Sequence, residues 1–597
     1  MPSRRYVLGL NLTRTRDGVA LDDGAAVLLD DGAAAVAIAQ ERLTRRKHAG
    51  GVADAVHYCL AAQGLDLDQV DLVAVSSCCD MPPDPGFALD LLGSEGLPVR
   101  KEHLRVVPSH HHSHAASAYY PSGFTEAIVI VADNEGNIIG EPLHENYWHN
   151  RLERTSVYLG RGNDLQLLRR YGDQPGELSL GAAYNQFTKW LGFASYHDAG
   201  KVMALAAYGR GRFSSVEVFS TAGDDVACRL PRAQALQSRP GAVNHLAGPP
   251  DEFDLEAARL LHGESVQRLL AEQAGIDIGP SRPSCGEPDE MQREIAWLIQ
   301  AELERALVEI VVQAVARTGI RRVCLAGGVA LNCVANTVIA NLPEVNELFI
   351  QPAASDVGQA LGNALWAHHQ EDAEPRRWTM RSCSLGRPYT RAEIETALAL
   401  WHERIIVEEP GNVTAAAARL IADGEIIGWF EGGSEYGLRG LGRRSVLGDP
   451  RTRDTKTRLD MVIKRREPFR PYAPSILEEE ASAWFALDGD FQRTARQPMN
   501  CMFVAPQVRP ERQSQVPAVT FIDGTARLQT VSRAENPRYH DLISRFQALT
   551  GIPLILNTSF NAGGDPVVET PHDAVHSMFK MGLDALVLGD LLIRPRP

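Results

Sequence analysis

Apolar residues in the first third of the chain fall into short runs punctuated by turn-forming pairs. Tyr6–Leu12 is a nearly unbroken apolar run of strand length. Ala25–Asp30 and Ala33–Gln40 are two more, joined at Asp31-Gly32. Asp-Gly between apolar runs predicts a hairpin, because both residues tolerate positive φ. Val52–Gln63 has helical spacing and Leu72–Ser76 reads as a strand. Ala127–Asp133 is a strongly apolar strand that ends in an Asp-Asn-Glu-Gly turn. Leu180–Leu191 and Met291–Arg317 carry helical periodicity. Arg322–Leu325 then predicts a strand, Gly327-Gly328 a tight turn, Val329–Ala340 a helix and Glu347–Ile350 another strand. A further helix is expected from Asp356 to about Ala367. Residues 370–388 are polar, contain Pro375 and Pro388, lack a period, and read as a linker. Beyond them Ala415–Ala422 predicts a helix, and Glu425–Phe430, Leu554–Leu556 and Ala585–Leu588 predict strands.

Strands alternating with helices give an α/β class. The chain has 597 residues, more than one core supports, so two α/β domains are expected. The net charge of −15 argues against broad nucleic-acid or membrane-surface binding. Any polyanion site must be a local basic island. Nine scattered cysteines without a C-x-x-C pair suggest reduced thiols in a cytoplasmic protein, not a disulfide framework or zinc ribbon. No signal peptide or spanning apolar stretch is read from the sequence.

Four constellations carry chemistry. His110 and His114, in Pro-Ser-His-His-His-Ser-His-Ala, are spaced i, i+4. On a helix both rings share one face, two parts of an open metal site. Asp133 at a strand end and Asp356 at a helix start are candidate acids to complete it. Imidazole with carboxylate suits iron, zinc or manganese. The plain alternatives are a polar helix start for the histidines and N-capping for Asp356. Second, Leu325–Asn332 has strand, double glycine and helix character, which offers backbone N–H groups to an anion or just turns the chain. Third, Arg439, Arg443, Arg444, Arg451, Lys456, Lys464, Arg465, Arg466 and Arg470 form a basic island interleaved with glycines. Arginine forks match phosphate oxygens, so a shaped anion pocket is favoured over a solvated face. Fourth, Asn557-Thr-Ser-Phe-Asn561 follows an apolar run. It can hold a small amide such as carbamoyl or merely fasten its own turn.

Together these stretches resemble the O-carbamoyltransferase family of antibiotic and nodulation-factor pathways. The matching segments include QERLTRRKH at 40–48, HHHSHA at 110–115, GKVMALAAYG at 200–209, LAGGVALNCVAN at 325–336 and SDVGQALGNAL at 355–365. EYGLRGLGRRSVLGDPR at 435–451, KRREPFRPYAPS at 464–475 and NTSFN at 557–561 continue the match. The resemblance implies an ASKHA (actin/Hsp70-like) domain over residues 1–375, similar to threonylcarbamoyl-transferring subunits, and a YrdC-like α/β domain over 388–597. It implies that carbamoyl phosphate and ATP give carbamoyl-adenylate in the second domain. The first domain then transfers carbamoyl to a substrate hydroxyl and releases AMP. By the same resemblance His110, His114, Asp133 and Asp356 hold a divalent metal, Fe2+ in the first instance, with Mg2+ accompanying ATP. Lys47, Gly327, Gly328, Asn332 and Asp356 contact the nucleotide. Arg439, Arg444, Lys464, Arg470, Asn557 and Ser559 hold carbamoyl phosphate.

The chain departs from the family in places. Where the family reads His-Asp-Ala-Ser-Ala, Asp22-Asp23-Gly24-Ala25-Ala26 stands here. Asp22 thus takes the place of the general-base histidine and is expected to act as the base, with His114 as the other catalytic side chain. The usual Asp-Gly-x-Gly-Glu is Asp133-Asn134-Glu135-Gly136-Asn137, Leu438 replaces a proline and Arg443 an asparagine. The expected acceptor is a small secondary-metabolite-like alcohol, with no nucleic-acid or membrane partner, and a homodimer is the default assembly. A macromolecular acceptor is an alternative. So is a nucleotide-binding regulator that has lost transfer, which the Asp22 departure favours.

Overall fold

A computed structural model describes residues 4–12, 23–77, 84–143, 150–193, 196–221, 223–230, 264–279, 287–371 and 375–596. The N-terminal sheet contains β1 (Tyr6–Leu12), β2 (Ala25–Asp30), β3 (Ala33–Ala39), β4 (Leu72–Ser77) and β5 (Leu104–Val106), in the order β3-β2-β1-β4-β5. Asp31 (φ 49°) and Gly32 (φ 79°) both lie in the left-handed region, as the hairpin requires. β1 runs antiparallel to β2 and parallel to β4. Val7 on one face and Leu8 and Leu10 on the other enter two different apolar clusters. That double burial is why the strand reads as an unbroken apolar run.

A second sheet repeats the plan. β6 (Glu126–Ala132), β7 (Thr155–Arg161) and β8 (Asp164–Tyr171) form an antiparallel meander. After a small β9 (Phe219–Ser220) and β10 (Ala227–Cys228) hairpin, β11 (Arg322–Ala326) and β12 (Glu347–Ile350) add in parallel beyond β6. Its order is β12-β11-β6-β7-β8, the same three-strand meander and two parallel strands as in the first sheet. This duplicated topology is the ASKHA arrangement.

The remaining sheet has eight strands: β13 (Ile405–Glu408), β14 (Ile427–Phe430), β15 (Arg444–Gly448), β16 (Ala473–Leu477), β17 (Gln529–Val531), β18 (Leu554–Ser559), β19 (Ala585–Leu588) and β20 (Leu591–Pro595). Their order is β13-β20-β19-β14-β15-β18-β16-β17, mixed in direction. Among the described residues no helix is long and apolar enough to cross a membrane.

Within the segment read as a linker, the described residues 375–388 form a structured strap. Arg376 lies 4.0 Å from the Tyr119 ring centroid and donates to Tyr119 O, while Met380 N donates to Pro121 O. Further on, Leu385 O accepts from Ala37 N, and Gly386 N donates to Ser434 O. Backbone bonding to both neighbours replaces the periodic signal that a helix or long strand would have given.

The helix Gln359–Glu371 packs on β1 and on the helix His110–Tyr119 at very short range. A Cβ on Gly362 would fall 2.0 Å from Ser113 O, and one on Gly9 would fall 2.0 Å from Ala360 O. These two glycines let the segment that carries Asp356 approach the helix that carries His110 and His114. Gly362→Ala is therefore expected to destabilise the chain by about 1–3 kcal/mol through overpacking. It should also lower divalent-metal affinity, read by urea unfolding and by metal titration of the same variant.

Candidate active site

The histidine run forms the helix His110–Tyr119, capped by Ser109, whose side chain accepts from His112 N. His110 and His114 therefore share a face. His114 Nε2 stands 3.2 Å from His110 Nε2, 3.0 Å from Asp133 Oδ2 and 3.2 Å from Asp356 Oδ1. His110 Nε2 is 3.3 Å from Asp133 Oδ2 and 3.4 Å from Asp356 Oδ1. One donor atom from each of the four residues lies within 4.8 Å of the others. Two imidazole nitrogens and two carboxylate oxygens converging on one point fit a divalent cation of the iron, zinc or manganese type. Burial alone would lower both histidine pKa values, but the facing carboxylates outweigh it and raise them. Burial would raise Asp356, but the histidines pull it down to about 2, and Asp133 is likewise held well below its usual range. Asp356 is not a helix cap, since the residue before it, Ser355, takes that position.

Asp133 follows the end of β6 and ties the glycine turn to this cluster: its Oδ1 accepts from Gly328 N at 3.1 Å. Gly327 has φ 86°, and a Cβ there would meet Ala132 O at 2.3 Å. Its glycine identity is thus set by the turn against β6. After Gly328–Leu331, a short 3-10 turn, Asn332 caps the helix Cys333–Ala340 by accepting from Ala335 N. The sequence had suggested a single helix over both. The cap interrupts it because Asn332 leaves helical backbone geometry (ψ 93°).

One cavity of about 540 Å3 unites the predicted sites. Lys47, Asp133, Gly328, Asn332 and Asp356 line it, together with Arg439, Lys464, Arg470 and Ser559. His110 and His114 are fully buried and carry the carboxylates from behind. Asp22 lies outside the described residues.

Two expected phosphate ligands are turned away from this cavity. Arg444 is fully buried on β15, with Nη1 donating to Glu431 O and Nη2 to Gly432 O. Its guanidinium lies 3.5 Å from the Phe430 ring centroid. It fastens the loop after β14. Asn557, also fully buried, donates to Gly440 O and Ser475 Oγ. The plain alternative, a turn held by local polar groups, describes Ser559 Oγ, which donates to Asn561 Oδ1, whereas Asn557 is held by partners distant in sequence. Lys464 reaches the same loop, donating to Ser559 O at 2.5 Å and Asn561 O at 2.8 Å.

Arg527 is a basic cavity residue that the sequence did not single out. It stands alone in Ala526-Arg527-Leu528, so charge density gave no signal. Among the described residues neither Arg439 nor Arg527 forms an ion pair, and the Nε of each is buried without a hydrogen-bond partner. Burial, then repulsion from Arg439, lowers the Arg527 pKa to about 9. Burial, with repulsion from Arg466, Arg470 and Lys47, pushes Lys464 well below the usual lysine range. Such an uncompensated positive wall is a site for an anion.

The carbamoyltransferase N-terminus profile matches residues 16–81 and 87–365, and the carbamoyltransferase C-terminus profile matches residues 418–595. Nodulation protein NolNO of Sinorhizobium fredii is 34% identical over 96% of this chain and 79% of its own length. The 3'-hydroxymethylcephem-O-carbamoyltransferase of Amycolatopsis lactamdurans is 28% identical over 69% of this chain and 68% of its own. Among solved structures, T. kodakarensis HypF matches 62% of this chain and 48% of its own at 15% identity, with a TM-score of 0.31. At that score the overlay adds nothing to the strand-order assignment.

Proposed function

Because the chain belongs to the carbamoyltransferase family, we propose that it is an ATP-dependent O-carbamoyltransferase. Carbamoyl phosphate loses phosphate to give carbamate, whose oxygen displaces pyrophosphate from ATP to form carbamoyl-adenylate, and the carbamoyl group then passes to a hydroxyl of a small secondary-metabolite-like acceptor with release of AMP. The observation that carries this reading is the shared cavity, lined both by carboxylates of a cation cradle and by a basic field in which, among the described residues, Arg439 and Arg527 form no ion pair.

Carbamate is a poor electrophile, and joining it to AMP supplies a good leaving group. Arg439, Arg470 and Arg527 would bind the anionic donor through charge-assisted hydrogen bonds, with Lys464 shaping the loop beside them. Lys47 and the N–H groups around Gly328 would steady the nucleotide. His110, His114, Asp133 and Asp356 would hold a divalent cation, which when bound neutralises phosphate charge as AMP departs. A YrdC-like second domain would bring the first half-reaction to the same cavity, so the reactive adenylate need not cross bulk water. The cephem relative, by its name, acts on a hydroxymethyl group. That supports an alcohol acceptor here.

The test is direct. The chain mixed with ATP, carbamoyl phosphate, Mg2+ and Fe2+ should release pyrophosphate only when carbamoyl phosphate is present. Tight ATP binding with no pyrophosphate would mark a nucleotide-binding regulator and sink the enzyme reading.

A further inference from the structure

Asp23 and His48 face each other at the edge of the cavity, and both line it. His48 Nδ1 lies 3.0 Å from Asp23 Oδ1. With Nδ1–H donated to the carboxylate, Nε2 carries the free lone pair. No described residue makes a hydrogen bond to Nε2, and the ring retains 19% of its exposure. His197, another cavity residue, stacks on His48 with ring centroids 3.4 Å apart and planes 14° from parallel.

The surrounding backbone fixes the pair. Asp23 (φ 65°) and His48 (φ 56°) are both in the left-handed region without being glycine. Such conformations cost energy and persist where neighbours enforce them. Here Gly24 N donates to Ala49 O, Gln40 N donates to Gly24 O, and His48 N donates to Glu41 Oε2 at 3.0 Å. Asn11 Nδ2 donates to Asp23 O. A carboxylate-oriented imidazole with one nitrogen open to a substrate cavity is the geometry of a general base.

We propose that His48, oriented by Asp23, accepts the proton of the acceptor hydroxyl in the transfer step. This rests on the carbamoyl-transfer reading and deepens it. In that step the acceptor oxygen bonds to the carbamoyl carbon. The bond from that carbon to the adenylate phosphate oxygen breaks, and AMP leaves with the electron pair. The hydroxyl proton goes to His48 Nε2 and from there to solvent. The histidine absent from the position of Asp22 is thereby supplied from the loop that follows the helix Gln40–Thr44.

The charged and titratable groups around the pair are Glu41 and Lys47 near His48, and Asp356 and His197 near Asp23. Burial lowers the His48 pKa, but the hydrogen bond and charge of Asp23 outweigh it, and the net shift is upward. The basic form of His48 then grows as pH rises through a value above the ordinary histidine range.

The experiment uses the full chain with ATP, carbamoyl phosphate, Mg2+ and Fe2+, and two probe nucleophiles. Glycerol is an alcohol that needs a base, while hydroxylamine attacks without one. Carbamoyl-phosphate-dependent exchange of labelled pyrophosphate into ATP reports adenylate formation. AMP release with each nucleophile reports transfer. His48→Asn should keep the exchange and lose glycerol-dependent AMP release by about 10²–10⁴-fold. Its loss with hydroxylamine should be far smaller. Asp23→Asn should move the acid limb of the glycerol pH profile to lower pH, which a purely structural role would not do. Glycerol-dependent release near wild type in His48→Asn would overturn the proposal, as would equal losses with both nucleophiles. A loss confined to Asp22→Asn would overturn it too. Absence of exchange in the wild-type chain would instead overturn the functional reading, and this proposal with it.

Discussion

Asp133→Asn should lower carbamoyl transfer by about 10²–10³-fold, the loss seen when one preorganised charge-stabilising group is removed. The first-turnover burst of pyrophosphate from ATP and carbamoyl phosphate should keep its near-wild-type rate, because it precedes transfer. The reason is positional. Asp133 Oδ2 faces both His110 and His114, while its Oδ1 holds Gly328 N. The substitution removes one of the two anionic donors from the cradle and loosens the glycine turn at once. Arg439, Arg470 and Arg527, proposed above to bind the donor's phosphate, line the same cavity and are not changed by the substitution. A coupled assay that reads pyrophosphate and AMP separately checks this. Equal loss of both products would mean that the cation cradle serves adenylate formation as well, against the division of labour proposed above.

Two arginines of the second domain should fail in opposite ways. Arg527→Ala is expected to raise KM for carbamoyl phosphate by about 10- to 100-fold, the worth of one charge-assisted hydrogen bond set. Its thermal stability should be unchanged or higher, because the native chain buries this cation beside Arg439 without a counter-charge. Arg444→Met should instead destabilise the chain by about 3 kcal/mol, since it strands the buried carbonyls of Glu431 and Gly432. The remaining folded fraction of Arg444→Met should bind carbamoyl phosphate with near-native KM. Urea unfolding with steady-state kinetics on both variants separates the roles. A KM effect from Arg444→Met without loss of stability would return that side chain to the donor site.

Both arginines read alike as residue types, yet one lies in a dense basic island and the other does not. Density along the chain pointed to Arg444, and the fold places Arg527 in the cavity lining instead. Side chains alternate across a strand, so the face that Arg444 takes on β15 is set by what packs there, in this case Phe430. Arg527 enters the cavity from a distant loop just ahead of β17. Similarly, Asn557 matched the expected motif, but its amide nitrogen is spent on Gly440 O and Ser475 Oγ.

What the sequence determined by itself was local and periodic. The i, i+4 spacing put His110 and His114 on one helix face, Asp31-Gly32 set the first hairpin, and apolar runs marked most of the strands of the duplicated sheets. These depend on nearest neighbours and on fixed helix and strand repeats. The tertiary structure decided the long-range meetings. Asp356 is 242 positions from His114 and reaches it because Gly362 admits close helix contact. The strap at residues 375–388 is ordered by backbone bonds to Ala37 and Pro121 before it and to Ser434 after it, which leave no periodic mark. The Asp23–His48 pair and the cavity that gathers the carboxylates and the basic residues exist only once loops far apart in sequence are folded together. A sequence records which groups are available. Burial, distance and counter-charge, which decide their chemistry, are properties of the packed chain.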